Sequence, residues 1–101
     1  MNFNTLYSSD FWVDLQQGID WYNNQQTGLG IRFYEAAKKR LANIKVNPHS
    51  IAVRYENVRC AKLKKFPYMI HFRILPDDKI IEIIAIYSTH QNPEIWKNRI
   101  I

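Results

Sequence analysis

The feature that most constrains the fold is the stretch 58–75, in which apolar and polar side chains alternate on both sides of a Phe-Pro pair. Successive side chains of a strand point to opposite faces of a sheet, so this alternation predicts two strands joined at 66–67. One face of the second strand would carry Tyr68, Ile70, Phe72 and Ile74, and the other Met69, His71, Arg73 and Leu75. The pattern predicts a hairpin with one face in a core, while the other presents cations and an imidazole.

Two helices are predicted before this hairpin. Ser8 or Ser9 offers an N-cap for the first, and Asp10 in the first turn favours the helix dipole. Gly18 inside this helix predicts that another element approaches closely. The core stripe predicted from the helical spacing is Trp12, Leu15, Ile19 and Tyr22.

The second helix is predicted over 29–46 and ends at Asn47-Pro48, since a residue before proline disfavours helical geometry. Its apolar side would carry Leu29, Phe33, Ala37, Leu41 and Ile44, with Arg32, Lys38, Lys39 and Lys45 directed away from it. Two amphipathic helices joined by a short turn predict an antiparallel pair.

The other segments extend this layout. Strands are predicted at 3–7 and 51–55, and the isoleucine-rich segment 79–87 predicts a strand in mid-sheet. Asn92-Pro93-Glu94 predicts the start of a short C-terminal helix. The order β-α-α-β-β-β-β with a final helix predicts one α+β domain over 1–101, with a helical pair packed on a mostly antiparallel sheet. The first strand is expected to join an edge of the sheet after a crossover.

Charge is distributed unevenly along the chain, whose formal net charge is +5. Residues 32–73 hold eleven Lys or Arg against two Glu, which gives +9, whereas residues 1–31 hold three Asp and no cation. This asymmetry favours an anionic partner, either nucleic acid or an acidic protein segment, although a solvated basic face without a partner has the same composition.

Composition also limits other functions. Neither a signal peptide nor a membrane-spanning run is present in the sequence, so we expect a cytoplasmic protein with no membrane association. The single cysteine, Cys60, has no second cysteine in the chain with which to form a disulfide. We expect it to be a small buried apolar side chain. The three histidines are far apart in sequence, which predicts no metal site, and we expect no cofactor.

Read in order, the chain resembles the RelE/ParE superfamily, the toxins of bacterial type II toxin-antitoxin modules of the plasmid stabilisation type. The likeness covers nearly the whole chain, and its ordered set is more specific than any one motif. It consists of Asp14-Leu15, Ile19-Asp20-Trp21-Tyr22, Gly28-Leu29-Gly30, Arg32-Phe33, Asn47-Pro48, Val53-Arg54-Tyr55, Val58-Arg59, Leu63, Phe66-Pro67-Tyr68 and 90–96 (His-Gln-Asn-Pro-Glu-Ile-Trp). The fold that this resemblance implies agrees with the one derived above.

The resemblance implies a growth-inhibiting toxin neutralised by a cognate antitoxin, but it leaves two kinds of action open. The RelE-like branch cleaves mRNA on the ribosome without a metal, using basic strand residues and often a C-terminal tyrosine. The ParE-like branch binds DNA gyrase and performs no chemistry itself. The fold alone does not separate the two.

Carrying over the nuclease residues leaves most of the set unmatched. Arg59 falls at a basic first-strand position, but the next such position falls on or near Ala61. Met69 stands where an arginine is expected, and His90 and Trp96 fall near the C-terminal arginine and tyrosine positions. These departures favour ParE-like inhibition of a protein target, or an undetermined effector step.

Two alternatives keep other residues as candidates. A nuclease with a non-standard set could use Arg59, His71, Arg73 and His90, provided that they converge, with Tyr87 or Trp96 stacking on a base. A non-toxic RNA-binding domain could use the same basic surface. The candidates for binding nucleic acid or antitoxin are Arg54, Lys62, Lys64, Lys65, Tyr87 and Trp96.

Overall fold

A computed structural model describes residues 3–77 and 79–90 of the chain. The elements are β1 (Asn4–Tyr7), α1 (Ser9–Gln25), α2 (Leu29–Val46), a single 3₁₀ turn (Pro48–Ser50), β2 (Val53–Tyr55), β3 (Val58–Lys62), β4 (Tyr68–Ile74) and β5 (Ile80–Ser88). The predicted C-terminal helix and Trp96 lie outside the described residues. No helix of the described part is long and apolar enough to cross a bilayer.

The five strands form one sheet in the order β1-β5-β4-β3-β2. β1 pairs in parallel with β5, and the other neighbours are antiparallel. The prediction of an α+β fold with two helices on a mostly antiparallel sheet is therefore confirmed. So are the edge position of the first strand after a crossover and the mid-sheet position of the isoleucine-rich strand.

The helical pair packs closely because two glycines remove side chains where the helices meet. A Cβ at Gly18 would lie 2.5 Å from the Phe33 ring, and a Cβ at Gly30 would lie 2.5 Å from the backbone oxygen of Ile19. Asn23 fixes the same crossing, since its Oδ1 accepts the Gly30 N–H at 2.8 Å. The predicted close approach at Gly18 is confirmed.

The stripe predicted for α1 needs one correction. Trp12 is 52% exposed, whereas Phe11 is fully buried between the helices and the sheet. The core face runs through Phe11, Leu15, Gly18 and Tyr22, about 100° around the helix from Trp12. Trp12 instead packs on Tyr7 at the rim, with ring centroids 4.9 Å apart.

The start of α1 covers β5 where the shorter β1 has ended. A bulge between His71 and Phe72 shifts the register of β4 and β5. Ser8 Oγ accepts the Phe11 N–H as the N-cap and donates to the Ile84 carbonyl at 2.6 Å. Buried Asp14 accepts the Ile86 N–H through Oδ2 at 3.3 Å. These bonds satisfy backbone groups that β1 is too short to reach.

Candidate functional site

The two faces of the sheet carry separate apolar clusters. The helix-facing side holds the main core, which includes Phe72 and Ile83 of the sheet together with Phe11 and Phe33 of the helices. The opposite side holds a smaller group that we call the His71 cluster. It consists of Tyr55, Val58, Cys60, Met69, His71, Ile84, Ala85 and Tyr87.

His71 is enclosed within this cluster and has no exposed surface. Its Nδ1 lies 3.0 Å from the Tyr55 hydroxyl and 3.5 Å from Cys60 Sγ. The Tyr87 ring stands edge-on to the imidazole, with centroids 5.0 Å apart at 85°. The prediction that this face presents an imidazole to solvent is wrong, because both faces of β4 are covered around His71.

Burial shifts His71, Cys60 and Tyr55 towards their neutral forms. Burial, as the larger cause, and the positive charge of Arg54 together lower the pKa of His71 to about 4. Burial also raises the pKa of the Cys60 thiol to about 11 and raises the pKa of the Tyr55 hydroxyl. At neutral pH these side chains form an uncharged hydrogen-bonded group rather than an acid-base pair.

Arg59 lies on the other side of the sheet from His71. Its neighbour two positions along, Ala61, belongs to the helix-facing core, and strand side chains alternate. The Arg59 guanidinium donates through Nη1 to the Ile51 carbonyl at 2.6 Å and to the His49 carbonyl at 3.4 Å. Arg59 therefore ties the segment after α2 to β3.

The remaining predicted residues are also separate from one another. Arg73 donates from Nε to Glu82 Oε1 at 2.5 Å, across β4 and β5. His90 is exposed beyond β5, and its backbone N–H donates to Ser88 Oγ. Arg54 is exposed on β2, and Tyr87 is 3% exposed. The structure therefore does not gather Arg59, His71, Arg73 and His90 around one accessible point.

Lys62, Lys64 and Lys65, by contrast, do share an accessible surface. They form one wall of a groove of about 980 Å³, and α2 forms the other. We call this the cationic groove. Its charged lining residues are Arg32, Glu35, Lys39, Arg40, Lys62, Lys64 and Lys65, six cations against one acid.

Within the described residues, none of these six cations forms an ion pair with a carboxylate. The salt bridge that the structure does show, Arg73–Glu82, lies outside the groove. Arg40 is more constrained than the others. Its Nε is enclosed by protein and has no hydrogen-bond acceptor among residues 3–77 and 79–90. A buried donor without an acceptor costs about 1–3 kcal/mol.

A second groove, of about 410 Å³, lies on the other side of α2 and is mainly apolar. We call it the apolar groove. Trp12, Tyr34 and Val46 border it and are 52%, 39% and 58% exposed. Lys38 and Lys45 lie over the rings of Tyr34 and Tyr7, with Nζ 5.4 and 5.6 Å from the centroids.

Sequence reasoning missed the α2 half of the cationic groove. The helix contributes Arg32, Lys39 and Arg40 at spacings that place them on one side of α2, while Lys38 and Lys45 fall towards the apolar groove. The spacing was a usable signal, because residues three, four and seven apart share a helix face. Which strand residues face that side depends on the fold.

Metal-binding side chains are dispersed as well. Within residues 3–77 and 79–90 no three His, Cys, Asp or Glu residues come together in a group that could hold a metal ion.

The described residues therefore form a small α+β fold in which two helices pack on one face of a mostly antiparallel five-stranded sheet. The sequence profile of the ParE toxin of the type II toxin-antitoxin system parDE matches residues 6–93. The chain belongs to the ParE toxin family. No curated protein sequence matches it significantly.

Solved structures of related toxins share the fold at low sequence identity. A chain of the chromosomal ParDE system from P. aeruginosa superposes with a TM-score of 0.73 at 18% identity, covering 85% of this chain and 95% of that one. The free RelE toxin of E. coli, in a double arginine-to-alanine mutant, gives 0.61 at 12% identity, covering 99% and 96%. The intact E. coli RelBE toxin-antitoxin complex gives 0.62 at 13% identity, covering 88% and 99%.

Proposed function

We propose that the chain is a growth-inhibiting toxin that inhibits a protein target, such as DNA gyrase, without cleaving RNA. The observation that carries this proposal is the separation of Arg59, His71 and Arg73. Metal-free RNA cleavage needs a base at the 2′-hydroxyl, a cation at the phosphate and an acid at the leaving oxygen, all within hydrogen-bond reach. His71 is enclosed and Arg73 is paired with Glu82 on one face of the sheet, whereas Arg59 lies on the other face. The three side chains therefore do not supply that arrangement.

Two assays test this proposal, one with the purified protein and one in cells. We expect inhibition of DNA supercoiling by gyrase that is reversed when the antitoxin is added first. We also expect no new codon-positioned mRNA ends in cells in which the chain arrests growth. Such ends, lost in the double variant Tyr55→Phe/His71→Leu but retained in an equally stable surface variant such as Lys79→Gln, would overturn the proposal in favour of a RelE-like nuclease.

The proposed partner that neutralises the toxin is a cognate antitoxin seated in the apolar groove. The P. aeruginosa relative comes from a ParDE toxin-antitoxin system, and a further E. coli RelE structure contains an antitoxin RelB peptide. The groove offers half-exposed Trp12 and Val46 as anchors. Lys38 and Lys45 at its border complement acidic side chains. An amphipathic segment with an apolar stripe and flanking acids fits both features.

A further inference from the structure

We propose that the cationic groove binds the phosphate backbone of duplex DNA without reading its bases. This inference is independent of which enzyme the toxin inhibits, since it concerns a direct contact between the chain and DNA. It also assigns a role to the groove that is separate from the antitoxin seat on the other side of α2.

The arrangement of charge supports a polyanion rather than a single small anion. Cations line both walls, with Arg32, Lys39 and Arg40 on α2 facing Lys62, Lys64 and Lys65 at the end of the β3–β4 hairpin. Six cations against Glu35 leave a local net charge of +5 in about 980 Å³. Duplex DNA carries about one negative charge per 1.7 Å, and replacing its condensed counterions with lysines and arginines favours binding.

Arg40 adds a positioned donor to this diffuse charge. Lysines contribute point charges on flexible stems, whereas the guanidinium is a planar group suited to phosphate oxygens. Arg40 is partly buried, and its enclosed Nε has no acceptor in the described part of the chain. Arg40 lines the groove and forms no ion pair within the described residues, so its guanidinium is a candidate donor to a phosphate bound there.

The groove lining favours a duplex over a single strand. Proteins that bind single strands stack bases on exposed aromatic rings. Phe66 is the aromatic residue that lines this groove, and its ring is already packed edge-on against Tyr22 and Phe33, with centroids 5.0 and 5.5 Å away. A duplex keeps its bases stacked inside and offers only phosphates and groove edges, which matches a lining of cations.

The same lining disfavours an acidic protein segment. Leu63 is 2% exposed and Phe66 is packed, so apolar side chains of a partner would gain little contact area here. Surface ion pairs alone contribute about 0–1 kcal/mol each, which does not offset the ordering of a peptide. The apolar groove has the exposed rings that this groove lacks.

The test measures, by fluorescence anisotropy across a salt series, the binding of a labelled duplex of arbitrary sequence and about 20 base pairs, or about two helical turns. The double variant Lys39→Gln/Lys64→Gln removes one cation from each wall. The matched control Lys38→Gln/Lys79→Gln removes the same charge outside the groove, with Lys38 adjacent to Lys39 on the same helix. All four side chains are exposed, so the free energy of unfolding of both variants should lie within about 0.5 kcal/mol of the wild-type value.

We expect the groove variant to make the negative slope of log affinity against log salt shallower by about 1.8, or about 0.9 for each lost phosphate contact. The control should change the slope by well under one unit. Equal losses in both variants, or no loss in the groove variant, would overturn the proposal. So would tighter binding of single-stranded RNA than of duplex DNA, or a groove variant that loses binding to polyglutamate while keeping its binding to DNA.

Discussion

The His71 cluster and the cationic groove differ in the residues they contain and, more importantly, in what surrounds those residues. The cluster holds a histidine, a cysteine and two tyrosines, the types from which catalytic sites are often built. All are enclosed or largely covered, and burial favours the neutral forms of His71, Cys60 and Tyr55. The groove holds lysines and arginines that resemble an ordinary charged surface, yet they are accessible and lack carboxylate partners in the described part of the chain. Accessibility rather than residue type separates the structural cluster from the candidate binding surface here.

The largest expected effect comes from truncating a ring in the His71 cluster. Tyr87→Ala should lower the free energy of unfolding by about 3–5 kcal/mol, because it removes a 97% buried ring. Tyr87→Phe keeps the ring and should cost no more than about 1.5 kcal/mol. Urea unfolding measures both. An alanine variant as stable as the wild type would mean that Tyr87 is a surface residue free to stack on a base.

A second effect of similar origin appears as a dependence on pH. The unfolded chain protonates His71 with a pKa near 6.5, whereas the folded chain does so near 4. The unfolded state therefore binds more protons between these values, and stability falls as the pH falls through this window, by about 3 kcal/mol in all. In the double variant Tyr55→Phe/His71→Leu this fall in stability between pH 6.5 and 4 should be absent, because the titrating imidazole is gone. If the free energy of unfolding depended on pH identically in the variant and the wild type, His71 would have to be solvent-exposed in the folded chain.

Antitoxin binding should distinguish two equally exposed tryptophans of α1. Trp12 borders the apolar groove, and Trp21 lies about two and a half turns further along α1. The two side chains are 52% and 53% exposed. Trp12→Ala should weaken the antitoxin complex by about 2 kcal/mol, or about 30-fold, as expected for an aromatic anchor. Trp21→Ala should leave it nearly unchanged. Calorimetric titration measures both, and equal losses would move the antitoxin seat away from this groove.

The smallest expected effect on stability concerns Arg40. Unlike Tyr87→Ala, the substitution Arg40→Met should stabilise the fold. Arg40→Met keeps the apolar stem and removes an enclosed donor that has no acceptor in the described residues. We expect the free energy of unfolding to rise by about 0.5–1 kcal/mol, while binding to duplex DNA weakens. A loss of stability above 1 kcal/mol would show that Arg40 is structural rather than retained for a ligand.

The sequence predicted most of the fold because local signals agreed with tertiary packing. The bounds of α2 were predicted at 29–46, as observed, since a glycine-containing turn and Asn47-Pro48 flank a regular apolar stripe. The predicted stripe of α1 was correct at Leu15, Ile19 and Tyr22 and wrong at its first position, because Phe11 and Trp12 are adjacent and both apolar. Only the sheet beneath the helix determines which of them is buried.

The candidate site was predicted less well for a related reason. Alternation placed His71 and Arg73 correctly on one face of β4, but periodicity does not show whether that face is covered. Likewise, Lys62, Lys64 and Lys65 were recognised as a binding surface, whereas their α2 counterparts were treated only as an outward side. Pairing the two walls requires the packing of α2 against the β3–β4 hairpin.

Growth arrest by a folded Tyr55→Phe/His71→Leu variant tests most directly the central claim that the toxin acts without chemistry at His71. The variant replaces two hydrogen-bonded partners by apolar groups of similar size, a change that can be nearly neutral for stability. Thermal unfolding of the purified variant confirms that it is folded before it is induced in cells. We expect arrest equal to that of the wild type at equal protein level. A stably folded variant that no longer arrests growth would contradict the claim.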